Sequence, residues 1–212
     1  MFFDDHQRQT VAAAMTRIIP TDDQPGAREA GTIDFLDRYL SGIDHVYAKP
    51  DGSGFEKLEG KRADVWRQRI DILRARYVEG VKELDRRSRD AFDGGFADLD
   101  ADQQDRILAD LEHAPQPTDV GQGETEDGSG GVPAEPALQQ TSTEIDLGFF
   151  PLLCLHTRQG FYADPIYGGN RDRVGWRFIG FPGPESLAEV HSGRYNTRAY
   201  FADGDGDPRQ EG

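Results

Sequence analysis

The sequence of 212 residues has one cysteine, four lysines and no long apolar run. Cys154 cannot form a disulfide within the chain, and its place in the apolar run 149–155 indicates a small buried hydrophobic residue. No segment reaches the roughly 18 apolar residues that cross a bilayer, which argues against a membrane-spanning helix. The first 19 residues also lack a basic region and a twin arginine, and Arg17 interrupts their apolar run. We therefore expect a cytoplasmic chain, with export alongside a partner, or a signal already removed, as the alternative.

Nucleotide-binding patterns are absent as well. The chain contains no G-x-x-x-x-G-K, and no G-x-G-x-x-G follows a strand-like run, so we expect it to bind neither flavin nor nicotinamide. The 39 acidic residues outnumber the 24 basic ones, and a net charge of −15 disfavours nucleic-acid binding. Asp203, Asp205 and Asp207 alternate with glycine as in a calcium loop, but Pro208 stands where that loop needs glycine. We predict no metal site and an acidic tail.

Apolar residues at helical spacing predict an all-α fold, an irregular bundle of about five helices. Asp4 is the predicted N-cap of the first helix, and Asp100 with Gln103 has the spacing of a capping box. Pro151 should bend the fifth helix, and Gly160 should cap its C-terminus. The predicted helices cover about 5–19, 32–48, 62–92, 101–112 and 142–159.

The composition along the chain predicts a single domain that is interrupted by one insertion. Residues 115–141 are rich in Pro, Gly, Glu, Thr and Ser and have almost no apolar side chains, which predicts a disordered linker. The helical N-terminal region, residues 1–114, and the C-terminal region, residues 142–184, are expected to complete one core. Residues 185–212 are expected to form a mostly irregular tail.

The segment 160–184 combines glycines and prolines with six large aromatic residues. That content excludes a long helix and is too apolar for a solvated loop, so we predict a long folded loop held against another surface. The surface could belong to this chain's own core or to a partner, and the residue types alone leave both open.

The same region carries a resemblance. Residues 156–172 read HTRQGFYADPIYGGNRD, and they are followed by Gly175-Trp176 and by the run GFPG at 180–183. Near the N-terminus stand IIPTDD at 18–23, PGA at 25–27, AG at 30–31 and FLD at 35–37. These motifs resemble those of the gluconate 2-dehydrogenase subunit 3 family, and they bracket the chain from residue 3 to about 184.

The resemblance implies a small, mostly helical, non-catalytic subunit that accompanies a large flavin-dependent sugar or polyol dehydrogenase of the glucose-methanol-choline type. FAD and the chemistry would lie in the large subunit, a cytochrome c could complete the complex, and this chain would stabilise or mature its partner in a chaperone-like way. An aromatic, glycine-rich surface suits a close-packed interface. The predicted partner-binding residues are Tyr162, Asp164, Tyr167, Gly168, Gly169, Asn170, Arg171, Asp172, Trp176 and Phe181, with Tyr167, Trp176 and Phe181 as anchors.

Two other hypotheses stay open. In the first, the chain is a stand-alone sugar-active enzyme in which His156 is the general base, Asp164 or Asp172 orients it and Arg171 binds an oxyanion. Against it, a lone histidine beside a glycine-rich loop is more often structural, and no nucleophile motif is present. In the second, the chain is an adaptor without a dehydrogenase partner.

Overall fold

The structure is a computed structural model that describes residues 1–42, 45–49, 55–113 and 143–183. Most of these residues are helical, and the predicted all-α fold is confirmed. The predicted linker 115–141, the tail 185–212 and the three alternating aspartates of the tail lie outside the described residues. Among the residues that are described, no helix is both long and apolar enough to cross a membrane.

The helices differ greatly in length, and one of them dominates the fold. Three short 3-10 turns lie at Phe96–Asp98, Pro165–Tyr167 and Arg171–Arg173, and the strands His45–Ala48 (β1) and Phe55–Lys57 (β2) form an antiparallel pair. The α-helices are α1 (Asp5–Ile18), α2 (Ala27–Ala30), α3 (Thr32–Leu40), α4 (Gly60–Phe92), α5 (Ala101–Glu112), α6 (Thr143–Asp146), α7 (Phe149–Tyr162) and α8 (Val174–Phe178).

The predicted N-caps of α1 and α5 are confirmed. The Asp4 carboxylate accepts the Gln7 N–H at 2.8 Å, and the Asp100 carboxylate accepts the Gln103 N–H at 2.9 Å. In each case the N-cap backbone N–H donates to the glutamine side-chain oxygen, which completes a capping box. Both helices therefore begin where the sequence predicts.

The predicted helix 32–48 is too long. It ends at Leu40, because Gly42 takes a left-handed conformation with φ of 69°. Residues His45–Ala48 are extended and pair with Phe55–Lys57 instead. The sequence HVYA at 45–48 contains a β-branched and an aromatic residue, which favour a strand as well as they fit a helix pattern.

The predicted helix 142–159 is wrong at three points. It is broken at Leu147 and Gly148 into α6 and α7. Pro151 is the third residue of α7, in the first turn, where an N–H has no partner within the helix, so a bend is not required. Gly160 lies inside α7, buried against Thr32, and the helix continues to Tyr162.

One hydrophobic core joins the chain on both sides of the 114–142 segment. Apolar side chains at helical spacing along α4 face this core, and Ile70, Leu73 and Leu84 are at most 1% exposed. Leu152 and Leu153 of α7 belong to the same cluster and are fully buried. A smaller cluster of Ala30, Phe161 and Val174 lies beside it. It brings α2, α7 and α8 together.

Candidate functional site

The residues that follow α7, 163–183, form what we call the C-terminal motif. This motif folds over the end of α7, and Asn170 makes several of the hydrogen bonds at their junction. Its backbone N–H donates to the Gly160 carbonyl at 2.8 Å, and its side-chain amide donates to the Ala163 carbonyl at 2.9 Å. Its side-chain oxygen accepts the Gly175 N–H at 2.9 Å. Asn170 is fully buried, with φ of 46°. The residue thus satisfies carbonyls that a helix C-terminus leaves without partners, and its side chain is unavailable to a partner in this arrangement.

Trp176 serves the same junction. Its indole N–H donates to the Tyr162 carbonyl at 2.8 Å, and only 6% of the residue is exposed. Phe181 packs against the indole edge to face, with ring centroids 5.2 Å apart. The predicted anchor Trp176 therefore points inward, and Phe181 is half-buried on top of it.

The predicted close approach of the glycines occurs within the chain. A Cβ at Gly169 would overlap the carbonyl oxygen of Gly160, and a Cβ at Gly175 would overlap that of Phe161. Gly168 has φ of 103°, a conformation that side chains disfavour. The motif backbone thus lies directly on the backbone of α7.

Two arginines fix the motif to α3. Arg171 pairs with Asp34 at 2.7 Å, and Asp34 also pairs with Arg8 of α1. Arg38 donates to the Ile166 carbonyl at 2.9 Å. The Arg171 side chain is 58% exposed, so its ion pair contributes little to stability on its own and chiefly sets position.

The remaining predicted residues lie nearer the surface. Asp164 caps the first 3-10 turn of the motif by accepting the Ile166 N–H at 3.0 Å, and Asp172 is exposed with φ of 54°. Tyr167 is half-buried, and Tyr162 is 38% exposed. The ten predicted partner-binding residues therefore divide into inward side chains that build the motif and outward ones that it presents.

Two outward residues were not among those predictions. Phe178 is 57% exposed and Ile179 is 56% exposed at the end of α8. The rings of Phe178 and Tyr162 both pack near Phe161, with centroids 6.5 and 4.9 Å from it. Because α8 has only five residues, its sequence is too short to show which residues face outward.

A second polar cluster surrounds His156 in the core. The imidazole is fully buried, with Nδ1 at 2.8 Å from the Tyr77 hydroxyl and Nε2 at 2.5 Å from a Glu144 oxygen. Glu144 also pairs with Arg69 and accepts the Tyr39 hydroxyl at 3.2 Å. These contacts attach α6 and α7 to α3 and α4.

The surroundings keep His156 neutral. Burial lowers the pKa of the imidazole to about 3, and the positive charge of Arg69 contributes to the same shift. Burial also raises the pKa of the Tyr77 hydroxyl, which stays protonated. The consistent arrangement is a Tyr77 hydroxyl that donates to Nδ1 and an Nε2–H that donates to Glu144.

The structure does not assemble the catalytic set proposed for a stand-alone enzyme. The hydrogen bonds of His156 go to Tyr77 and Glu144, and none among the described residues goes to Asp164 or Arg171. A fully buried imidazole that uses both ring nitrogens inside the core cannot take a proton from a bound substrate. The geometry indicates a structural histidine.

This cluster predicts a pH dependence of stability. The pKa of His156 is about 3 when folded and about 6.5 when unfolded, so between these values the unfolded chain binds the extra proton. The contribution of the neutral His156 to the free energy of unfolding is fully present above pH 6.5. It is lost as the pH falls below 6.5, by up to about 1.4 kcal/mol per pH unit. Urea unfolding at pH 7, 6 and 5 measures it. His156→Gln should reduce the slope of the free energy of unfolding against pH. The same replacement of the exposed His113 should leave that slope unchanged, and equal slopes in both variants would contradict this assignment.

The comparison with protein families agrees with this arrangement of motifs. The sequence model of gluconate 2-dehydrogenase subunit 3 matches residues 5–183. The chain belongs to this family. The resemblance seen in the sequence is thereby confirmed, and membership indicates an accessory-subunit role in a multi-subunit dehydrogenase. Searches of the curated proteins and of the solved structures found no match.

Proposed function

We propose that this member of the gluconate 2-dehydrogenase subunit 3 family is a non-catalytic small subunit that binds a large FAD-dependent dehydrogenase of the glucose-methanol-choline type. The supporting observation is that hydrogen bonds hold the motif against α7 while Tyr162, Phe178 and Ile179 stay exposed. Rigid aromatic and aliphatic side chains lose little conformational entropy on binding, which makes them effective interface anchors. Binding of this kind would stabilise or mature the large subunit.

The proposal assigns FAD and the oxidation of a sugar or polyol to the partner. A cytochrome c subunit could accept the electrons in the same complex, and the chain could act in the cytoplasm or be exported together with its partner. In the chain's own polar cluster, His156 is buried and neutral, which is consistent with a role in folding. No observation favours the stand-alone enzyme.

Co-expression tests the proposal. The chain would be tagged and produced with a flavin-dependent dehydrogenase encoded beside its gene, and an unrelated flavoprotein of the same type serves as the control. We expect co-purification with the neighbouring flavoprotein only, with a higher FAD content and turnover than when it is produced alone. A flavoprotein that is soluble, fully loaded and equally active without the chain, and that never co-purifies with it, would refute the function.

A further inference from the structure

We propose that the docking surface of this chain is centred on Phe178 and Ile179, and that the partner covers it with an apolar pocket rimmed by acidic residues. This inference rests on the proposed function and specifies the surface and the chemistry of the partner. We call the surface the α8 face and define it by Tyr162, Arg173, Arg177, Phe178 and Ile179.

The backbone of the α8 face is held in place by the fold. Trp176 is anchored to α7 through its indole, the Phe181 N–H donates to the Trp176 carbonyl at 2.8 Å, and the Ile179 N–H donates to the Gly175 carbonyl at 3.3 Å. With Val174, Gly175 and Trp176 buried on the inner side, the next residues point to solvent. The outward side chains are therefore presented on a fixed support, which limits the entropy lost on docking.

Exposed apolar side chains concentrate at this face. Among the described residues, six large hydrophobic side chains are exposed, and Tyr162, Phe178 and Ile179 are three of them. The other three are Met1 and, on α4, Val65 and Ile72. At the α8 face two exposed rings share a neighbour, since Tyr162 and Phe178 both pack near the buried Phe161.

The charge of this region is opposite to that of the whole chain. The chain carries −15, yet residues 147–183 contain four arginines and two aspartates. Arg171 pairs with Asp34, while Arg173 and Arg177 flank the apolar residues and are exposed. Arg158 lies one helical turn before Tyr162, on the same side of α7. Asp172 is the acidic residue beside them.

This charge favours an acidic partner surface over a second copy of the chain. In a symmetric dimer the α8 face would meet itself, and Arg173 and Arg177 would face like charges. An acidic rim on a different protein would attract the same arginines and speed the encounter. Among the described residues, neither Arg173 nor Arg177 lies within ion-pair distance of a carboxylate, so both are available to such a rim.

The test compares two variants with matched controls in the full-length chain. Phe178→Ser combined with Ile179→Ser removes the apolar centre, and Val65→Ser combined with Ile72→Ser removes as many exposed apolar residues from α4. Arg177→Glu reverses one charge at the α8 face, and Arg67→Glu does so on α4, where Arg67 pairs with Asp64 and is exposed. The dissociation constant and the association rate for the neighbouring flavoprotein are measured at low and high salt, and circular dichroism confirms that each variant is folded.

We expect the double serine variant of the α8 face to weaken binding by about tenfold or more, since truncating a central anchor commonly costs more than about 1.4 kcal/mol. Arg177→Glu should slow association by about tenfold at low salt and much less at high salt. The α4 controls should bind as the unaltered chain does.

Each other outcome counts against the inference in a different way. If the unaltered chain forms the complex and the α8 variants bind equally well, the surface is wrong and the proposed function stands. If the unaltered chain forms no complex, both are overturned. If the isolated chain dimerises and the double serine variant is monomeric, the surface is occupied by a second copy and the acidic partner is overturned.

Discussion

Replacing Glu144 with glutamine is expected to lower the free energy of unfolding by about 3 kcal/mol. The carboxylate is 6% exposed and contacts Arg69, His156 and the Tyr39 hydroxyl. Glutamine keeps much of the shape but leaves the guanidinium of Arg69 without its negative partner in a largely buried position. Removing one member of a buried ion pair typically costs about 3–5 kcal/mol. Equilibrium unfolding in urea, followed by circular dichroism, measures the change.

Glu83 offers a matched control on the surface of α4. Hydrogen bonds from Arg86 and then Arg87, together with their charges, lower the pKa of its carboxyl to about 2, and its side chain is 34% exposed. Solvent screens such a pair, so Glu83→Gln should cost about 1 kcal/mol or less. If the two glutamine variants are equally stable, the cluster around Glu144 does not carry the weight assigned to it.

Replacing Gly175 with alanine should disrupt the C-terminal motif. An added Cβ would overlap the Phe161 carbonyl oxygen, and backbone atoms cannot move aside as a flexible side chain can. We expect a loss of about 3 kcal/mol, concentrated in the motif, because Asn170 and Trp176 depend on this close approach. Compared with the unaltered chain, the variant should exchange its amide hydrogens faster across 160–183, and exchange across α4 should change much less.

Gly180 separates this steric effect from backbone conformation. It has φ of 68°, and a Cβ there would meet nothing within 4 Å. Gly180→Ala should therefore cost only the left-handed conformation, about 1 kcal/mol. Similar losses in both variants would show that crowding against α7 is unimportant.

The sequence predicted those elements whose signals are local or regularly spaced. The aspartate caps of α1 and α5 follow from hydrogen bonds to residues three positions away. The buried face of α4 follows from apolar residues that recur every turn. The end of α3 and the break before α7 could not be predicted in the same way. The pattern at 45–48 fits two structures, and the pairing with β2 shows which of them forms. At the break before α7, Arg76 of α4 donates to the Ile145 and Leu147 carbonyls, and no local pattern predicts such tertiary contacts.

For the candidate site, the sequence predicted a folded motif but not the direction of its side chains. Trp176 and Phe178 are both aromatic and lie two residues apart, yet the first is 6% exposed and the second 57%. The difference arises because the indole finds the Tyr162 carbonyl at the end of α7. Such a contact depends on tertiary structure, and no short-range pattern encodes it.

The separation in sequence of the residues around His156 has a kinetic consequence. Tyr77 and His156 are 79 positions apart, and Arg69 and Glu144 are 75 apart. Long loops must close before either contact can form, so we expect these bonds to form late in folding. Contacts that are absent from the rate-limiting barrier act on the lifetime of the native state and hardly on the speed of reaching it. We therefore expect the buried cluster to slow the unfolding of the native chain much more than it changes the rate of folding.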